Sequence, residues 1–296
     1  CMSVFVALAG CSVGGPIDAP QPEVARGPSG AASLADLQMA KWAAEGRERA
    51  VILALHGYGD AGDITYGNAA QYWASRGITT YAPDQRGFGG NQSRKRWPGA
   101  EALAQDAVDM SEQIRKQHPG APIVVVGHSM GGGVALAAAA EGLEADGLVL
   151  AGPAIVGGAA LSPVYRAGGW VMAATMPERR WTGEGVVEIW PTDNMEALLR
   201  ASEDPRIIGD PSSRELYGLI RVMDRASAAA PSVTIPTLTL MGARDQILPP
   251  TDVAAVHATI PGATDFTYYE DGWHWLFRDL QASEVWSDVA DFALSL

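Results

Sequence analysis

A serine between glycines, at the junction of an apolar run and an Ala-rich run, most constrains this chain. The apolar run 123–126 leads into Gly127-His128-Ser129-Met130-Gly131, and the Ala-rich run 134–140 follows. This order predicts a strand, a tight turn and a helix, with Ser129 at the turn. In a G-x-S-x-G turn a strained backbone lifts the serine hydroxyl clear of the sheet, and small neighbours let strand and helix approach closely. The pattern therefore favours Ser129 as a nucleophile.

A serine hydroxyl is a poor nucleophile near neutral pH, so Ser129 needs a histidine base that is oriented by a carboxylate. Of the five histidines, His274 is best placed, on a loop between the last predicted strand and the C-terminal helix. His56, at the end of an earlier strand, is interpreted as a structural part of an oxyanion loop, and His257 as a solvated helix residue. The sequence therefore predicts His274 as the base.

The carboxylate must reach the same sheet edge and is expected between serine and histidine in chain order. Asp245 fits, because the strand predicted at 237–241 runs into a turn there. The rival Asp271 lies only three residues before His274, which makes a bond to the histidine ring awkward. We therefore predict that Asp245 orients His274.

Two backbone N–H groups would stabilise the negative charge that acyl transfer places on the former carbonyl oxygen. Met130 follows the nucleophile directly and supplies the first predicted donor. The second should come from a loop after an earlier strand, and His56-Gly57-Tyr58-Gly59 follows the apolar run 52–55. Tyr58 is therefore the second predicted oxyanion donor.

From residue 37 onwards, apolar runs alternate with helical patterns, which is typical of a mostly parallel sheet flanked by helices. The alternation stops at 154–232, a stretch of helical pieces rich in Trp, Met and Pro that we predict to be an inserted cap. The core is then 37–153 and 233–296. Its predicted elements include an antiparallel leading pair at 37–44 and 50–55, helices at 68–75, 101–117, 251–259 and 283–294, and strands at 78–82, 123–126, 148–151, 237–241 and 266–269.

These motifs together resemble the α/β-hydrolase superfamily, and within it the group of monoacylglycerol lipases, lysophospholipases and serine aminopeptidases. The resemblance covers about 37–296, and its residues are His56-Gly57-Tyr58-Gly59, Asp84-Gln85-Arg86-Gly87-Phe88-Gly89, the glycine-rich turn at Ser129, Gly242-Ala243-Arg244-Asp245 and Gly272-Trp273-His274. It implies a serine hydrolase that cleaves carboxylic esters through an acyl-enzyme. Epoxide hydrolases and haloalkane dehalogenases are disfavoured, because they use an aspartate where this chain has Ser129.

The predicted cap would cover Ser129, so its lining should select the substrate. Trp170 and Met172 are candidates for an apolar acyl channel, with packing inside the cap as the structural alternative. The predicted substrate is a long-chain monoester, such as a monoacylglycerol or a lysophospholipid. A serine aminopeptidase or an acyltransferase remains the alternative. A non-catalytic binding protein is disfavoured because all three triad positions are filled.

No motif in the sequence indicates a cofactor. No His/Cys cluster has metal-ligand spacing, and no G-x-G-x-x-G opens a dinucleotide-binding unit. A formal net charge of −13, from 34 acidic and 21 basic residues, opposes nucleic-acid binding. We therefore expect neither a metal, an organic cofactor nor a nucleic-acid partner. The sequence does not fix an oligomeric state.

The first eleven residues end in Leu8-Ala9-Gly10-Cys11 after an apolar run. This stretch resembles the end of a bacterial lipoprotein signal peptide, which is cleaved before a cysteine that then carries lipid. The positively charged beginning of such a signal peptide is missing, so either the precursor has been trimmed upstream of Cys1 or the resemblance does not hold. The resemblance implies a lipid anchor on Cys11 in the bacterial cell envelope, and Ser12 favours the outer membrane, facing the periplasm. Residues 12–36, rich in Pro and Gly, are predicted to be a flexible tether.

Overall fold

The computed structural model describes residues 23–26, 37–158, 162–182 and 189–296. The strands are β1 (Glu23–Arg26), β2 (Gln38–Trp42), β3 (Ala50–Leu55), β4 (Ile78–Pro83), β5 (Ile123–His128), β6 (Gly147–Ala151), β7 (Thr237–Gly242) and β8 (Ala263–Tyr269). The helices are α1 (Gly62–Ser75), α2 (Ala100–Gln117), α3 (Met130–Ala139), α4 (Pro163–Thr175), α5 (Met195–Glu203), α6 (Ser213–Ala229), α7 (Pro250–His257) and α8 (Ala282–Ser295).

The described strands form one sheet in the order β1-β2-β4-β3-β5-β6-β7-β8. All pairs from β4 to β8 are parallel, whereas β1 and β2 are antiparallel to their neighbours. The predicted, mostly parallel sheet with flanking helices is confirmed. The predicted leading pair is wrong, because β2 bonds to β4 and β3 lies on the far side of β4. Because β2 and β3 are adjacent along the chain, the sequence suggested a hairpin. In the fold, β4 pairs with β3 in parallel and lies between β2 and β3.

Both faces of the central sheet are covered, which explains why its strands are continuous apolar runs. Along β3 the side chains alternate between two cores. Val51, Leu53 and Leu55 face the core formed with α2, α3 and α7, and Ala50, Ile52 and Ala54 face the core formed with α1 and α8. All six residues of β3 are buried. The carboxyl ends of these rigid strands therefore provide a fixed edge for functional loops.

Helices α4, α5 and α6 lie between β6 and β7, in the region predicted to be a cap. Helix α6 packs onto the core through small residues, and a Cβ on its Gly218 would come 2.1 Å from the ring of Trp97. Arg166 of α4 donates two hydrogen bonds to Asp224 of α6, at 2.6 and 2.8 Å. The inner helix of the cap is thus firmly docked on the core, and the outer helix is attached to the inner one.

The N-terminal predictions fall mostly outside the part of the chain that the structure describes. Cys11 and residues 1–22 and 27–36 belong to that undescribed part, so the lipid anchor stays a prediction. Within the predicted tether, Glu23–Arg26 forms β1 and pairs with β2. Among the described residues, no helix combines the length and the hydropathy that crossing a membrane requires.

Candidate active site

The chain turns sharply at Ser129, between β5 and α3. Ser129 has φ 52° and ψ −117°, a left-handed conformation that is strained for a residue with a side chain. A Cβ on Gly131 would come 2.0 Å from the Leu55 carbonyl oxygen, and one on Gly127 would come 2.4 Å from the Gly131 oxygen. No side chain fits at either glycine. The serine is half-buried and lies at the carboxyl edge of the sheet.

Asp245 and His274 meet at the same edge, from the loops after β7 and β8. The Nδ1–H of His274 donates to Asp245 Oδ2 at 2.8 Å. The other carboxylate oxygen accepts the N–H groups of Ile247 and Leu248, at 2.8 and 2.9 Å. Burial alone would raise the pKa of Asp245, but the hydrogen bonds from His274 and these amides hold it below its usual value. The ionised carboxylate fixes the tautomer that leaves His274 Nε2 free to accept a proton.

The two predicted oxyanion donors lie on segments next to Ser129. Met130 is the first residue of α3, so its N–H belongs to the helix turn that has no intrahelical acceptors. In the loop after β3, a Cβ on Gly57 would come 3.3 Å from Ser129 Cβ, so Tyr58 follows a residue in close contact with the serine. His56 holds this loop, because its Nδ1–H donates to the Gly57 oxygen at 2.7 Å and its Nε2 accepts the Gln85 N–H at 2.9 Å.

His128, the residue before Ser129, supports the backbone of His274. Its Nε2–H donates to the His274 carbonyl oxygen at 2.8 Å. Burial, followed by the proximity of His274, lowers the pKa of His128 to about 3. His128 is therefore neutral at working pH and acts as a permanent donor to the histidine loop. Sequence reasoning found no role for it, because the contact spans 146 residues of sequence.

The remaining candidate residues lie away from this cluster. Asp271 is exposed and pairs with Arg244 at the surface. The prediction of a solvated His257 is wrong, because its side chain is buried and bonds to Thr239 at 2.9 Å.

Sequence reasoning assigned no structural role to Asp84, whose carboxylate accepts the N–H groups of Gly62 and Gly90, both at 2.8 Å. The position of Asp84 just after a predicted strand was the one signal in the sequence that could have indicated this role.

The structure separates Trp170 and Met172, which lie two positions apart on α4 and so face in different directions. The side of α4 at Gly169 lies against α6, because a Cβ there would be 3.6 Å from Tyr217 and from Ile220. Met172, three residues later, shares that side and is half-buried. Trp170 is 58% exposed, which does not fit packing inside the cap. The substrate-lining role of both residues stays a prediction.

A family model described as "Serine aminopeptidase, S33" matches residues 46–281. The chain belongs to this family. The match includes Ser129, Asp245 and His274 together with the cap. The predicted α/β-hydrolase of the monoacylglycerol lipase, lysophospholipase and serine aminopeptidase group is confirmed. Among the described residues of this hydrolase, no cluster of three or more His, Cys, Asp or Glu side chains could hold a metal ion.

Similar proteins include the monoacylglycerol lipase of Mycolicibacterium smegmatis, which is 28% identical over 280 residues, or 86% of this chain and 91% of the relative. The fold is that of the monoacylglycerol lipase of Paleococcus ferrophilus, with a TM-score of 0.74 at 22% identity over 88% of this chain and 98% of the other. A soluble variant of monoglyceride lipase from Saccharomyces cerevisiae, in complex with a substrate analog, has a TM-score of 0.75 at 18% identity, covering 96% and 98%.

Proposed function

We propose that this family member is a serine esterase of the monoacylglycerol lipase type, which cleaves lipid monoesters through an acyl-enzyme on Ser129. The observation that carries the proposal is the hydrogen bond from His274 to the buried, ionised Asp245, at the sheet edge where the strained turn presents Ser129. A nucleophile, a base and a carboxylate on three separate loops at one edge are the set that acyl transfer requires.

In the proposed reaction, Ser129 Oγ attacks the ester carbonyl carbon and transfers its proton to His274 Nε2. The imidazolium that forms is stabilised by Asp245, and the N–H groups of Met130 and Tyr58 bind the oxyanion. Collapse of the tetrahedral intermediate expels the alcohol, which takes the proton from His274. Water, activated by the same histidine, then attacks the acyl-enzyme and releases the acid and free Ser129.

Lipid monoesters are supported as substrates by relatives named monoacylglycerol or monoglyceride lipase and by the surface of the cap. Val164, Tyr165, Trp170 and Val171 of α4 are exposed, at 77, 77, 58 and 48%. An exposed apolar helix on the insertion suits a substrate that arrives from a lipid phase.

The family description keeps a serine aminopeptidase as the alternative. Such an enzyme needs a free carboxylate to bind the substrate ammonium. The candidates for this role in the predicted cap are Glu178, Glu184, Glu188, Asp193 and Glu196. Glu178 pairs with Arg214 at 2.9 Å and Glu196 pairs with Arg200. Asp193 accepts the Leu280 N–H at 3.0 Å. Glu184 and Glu188 lie outside the described residues. These pairings favour the esterase.

The experiment compares wild type with Ser129→Ala. A fluorophosphonate probe should label only the wild type. Labelling that persists in Ser129→Ala would show that another residue is the nucleophile. Wild-type turnover should then be measured on nitrophenyl esters from acetate to palmitate, on a monoacylglycerol, on a lysophospholipid and on aminoacyl amides. If the aminoacyl amides are turned over faster than all of the esters, the result would favour a peptidase over an esterase.

We also propose that Cys11 carries a lipid and anchors the enzyme at the bacterial cell envelope, on the outer membrane facing the periplasm. The support is Leu8-Ala9-Gly10-Cys11 followed by Ser12. Cys11→Ser should release the enzyme from the membrane fraction of the host without changing kcat. Mass spectrometry that finds an unmodified peptide across Gly10-Cys11 in native material would refute the anchor.

A further inference from the structure

A short segment of the insertion, residues 190–194, crosses the two loops that carry Asp245 and His274. We call it the strap. On the acid side, the Trp190 N–H donates to the side chain of Gln246, next to Asp245, at 3.0 Å. Its other bonds reach the histidine side: Trp275 N–H to Pro191 O at 2.8 Å, Asn194 Nδ2–H to Arg278 O at 2.8 Å and Leu280 N–H to Asp193 Oδ1 at 3.0 Å.

One buried carboxylate joins the strap to the residue before His274. Asp279 Oδ1 accepts the Thr192 hydroxyl at 2.6 Å, and Oδ2 accepts the Trp273 N–H at 2.8 Å. Asp279 and Thr192 are 3 and 1% exposed. Neither oxygen is shared between the two contacts. Asp279 therefore transmits any displacement of the strap to the histidine loop.

The charge on Asp279 also acts on His274. Burial raises the pKa of Asp279 to about 6, and Asp193 of the strap adds to the rise, whereas the bonds from Thr192 and Trp273 and the proximity of His274 oppose it. The adjacent Arg278 directs its guanidinium to Asp60 instead. An ionised Asp279 near the imidazole favours the imidazolium that forms during acyl transfer.

We propose that Asp279 is a positioning residue for His274 and that Thr192 of the strap holds it in place, so that the insertion and the base are aligned together. Asp279 fixes the backbone at Trp273, which sets the approach of His274 to Asp245. This role rests on the proposed function of His274.

The test uses Asp279→Asn, Thr192→Val and Thr192→Ser, with Asp271→Asn as a matched control that removes an exposed carboxylate from the same loop. Turnover of a nitrophenyl ester is divided by the number of sites that a fluorophosphonate titrates. We expect kcat to fall about tenfold or more in Asp279→Asn and about fivefold in Thr192→Val, with KM within about twofold. Thr192→Ser keeps the hydroxyl and should restore kcat, and Asp271→Asn should match wild type.

The pH profile separates positioning from a merely structural role. Removing the negative charge near His274 makes the imidazolium less favourable, so the acid limb of kcat/KM should move to lower pH in Asp279→Asn. A structural role would lower the melting temperature and leave the limb in place. If Asp279→Asn does not fold, Thr192→Val decides, because it retains the carboxylate.

Wild-type kcat and an unmoved acid limb in variants that titrate fully would overturn the positioning role. Failure of the proposed function gives a different result, in which the wild type does not titrate with the probe or Ser129→Ala remains active. That result would also refute the positioning role, which depends on His274 as the base.

Discussion

The turn at Ser129 and helix α4 of the cap differ in how tightly their residues are held. Around the turn, Cβ atoms on Gly127 and Gly131 would come 2.4 and 2.0 Å from backbone oxygens, whereas one on Gly168 of α4 has no atom within 4 Å. None of the residues of α4 is buried. At the turn, then, a single methyl group displaces the backbone, and at Gly168 of α4 it meets open space.

This difference separates two tasks. The chemistry depends on donors and acceptors held by buried strands, because oxyanion stabilisation requires that little reorganises during reaction. In the proposed function, substrate selection depends on the apolar helix α4, which is attached at its inner side through Arg166 and Asp224. Substitutions in the core should therefore affect every substrate alike, and substitutions on the exposed face of α4 should affect substrates by their chain length.

The largest effect is expected from the proposed triad. Ser129→Ala and His274→Ala should each lower kcat by about 10⁴-fold or more, and Asp245→Asn by a comparable factor. The loss should be uniform across acyl chain lengths, with unchanged far-UV circular dichroism. A loss confined to long chains would contradict the division between core and cap.

A methyl group at the turn should have the next largest effect. Gly131→Ala places a Cβ against the Leu55 carbonyl, and we expect the free energy of unfolding to fall by about 3 kcal/mol. Its control, Gly168→Ala on α4, should stabilise by about 0.5 to 1 kcal/mol through helix propensity. Urea unfolding measures both, and equal effects would remove the contrast between the two regions.

Acid should weaken the core through His128. Its pKa is about 3 in the folded protein and near 6.5 in the unfolded chain, so the stability it contributes is complete above pH 6.5 and is lost as pH falls towards 3. Between pH 6.5 and 5 this group alone should remove about 2 kcal/mol from the free energy of unfolding. His128→Gln keeps a donor but does not titrate, so its urea unfolding should lack that loss. A parallel acid loss in both proteins would refute the assignment.

The smallest effect concerns the outer helix. If Trp170 covers part of the acyl chain, Trp170→Ala should reduce kcat/KM on long esters by about fourfold for each methylene that the indole ring shields from water, with acetate unchanged. Met172→Ala, on the side facing α6, should instead lower the melting temperature and reduce all substrates together. Identical profiles for the two variants would show that the face of α4 does not matter.

Much of the site was predictable because its signals are local. The turn at Ser129 needs small residues within two positions, and Asp245 and His274 each follow a predicted strand directly. Parallel strands bring their carboxyl ends to one edge, so chain order sufficed to place the three residues together. The start of α1 was predicted at residue 68, yet the helix begins at Gly62. There, Asp84 of another loop accepts the Gly62 N–H, a contact that leaves no mark in the sequence of α1.

The sequence alone therefore determined the hydrolase fold and the tight turn at Ser129, and it predicted the chain order of the proposed triad, since each depends on residue type and short spacing. Only the tertiary structure decided that β2 pairs with β4, that His257 is buried, that His128 holds the backbone of His274 and that Asp279 holds the backbone of Trp273. The β2–β4 pairing and the bond from His128 to His274 join residues far apart in the chain. Their geometry follows from how the loops pack, because a hydrogen bond depends on distances that sequence separation does not fix.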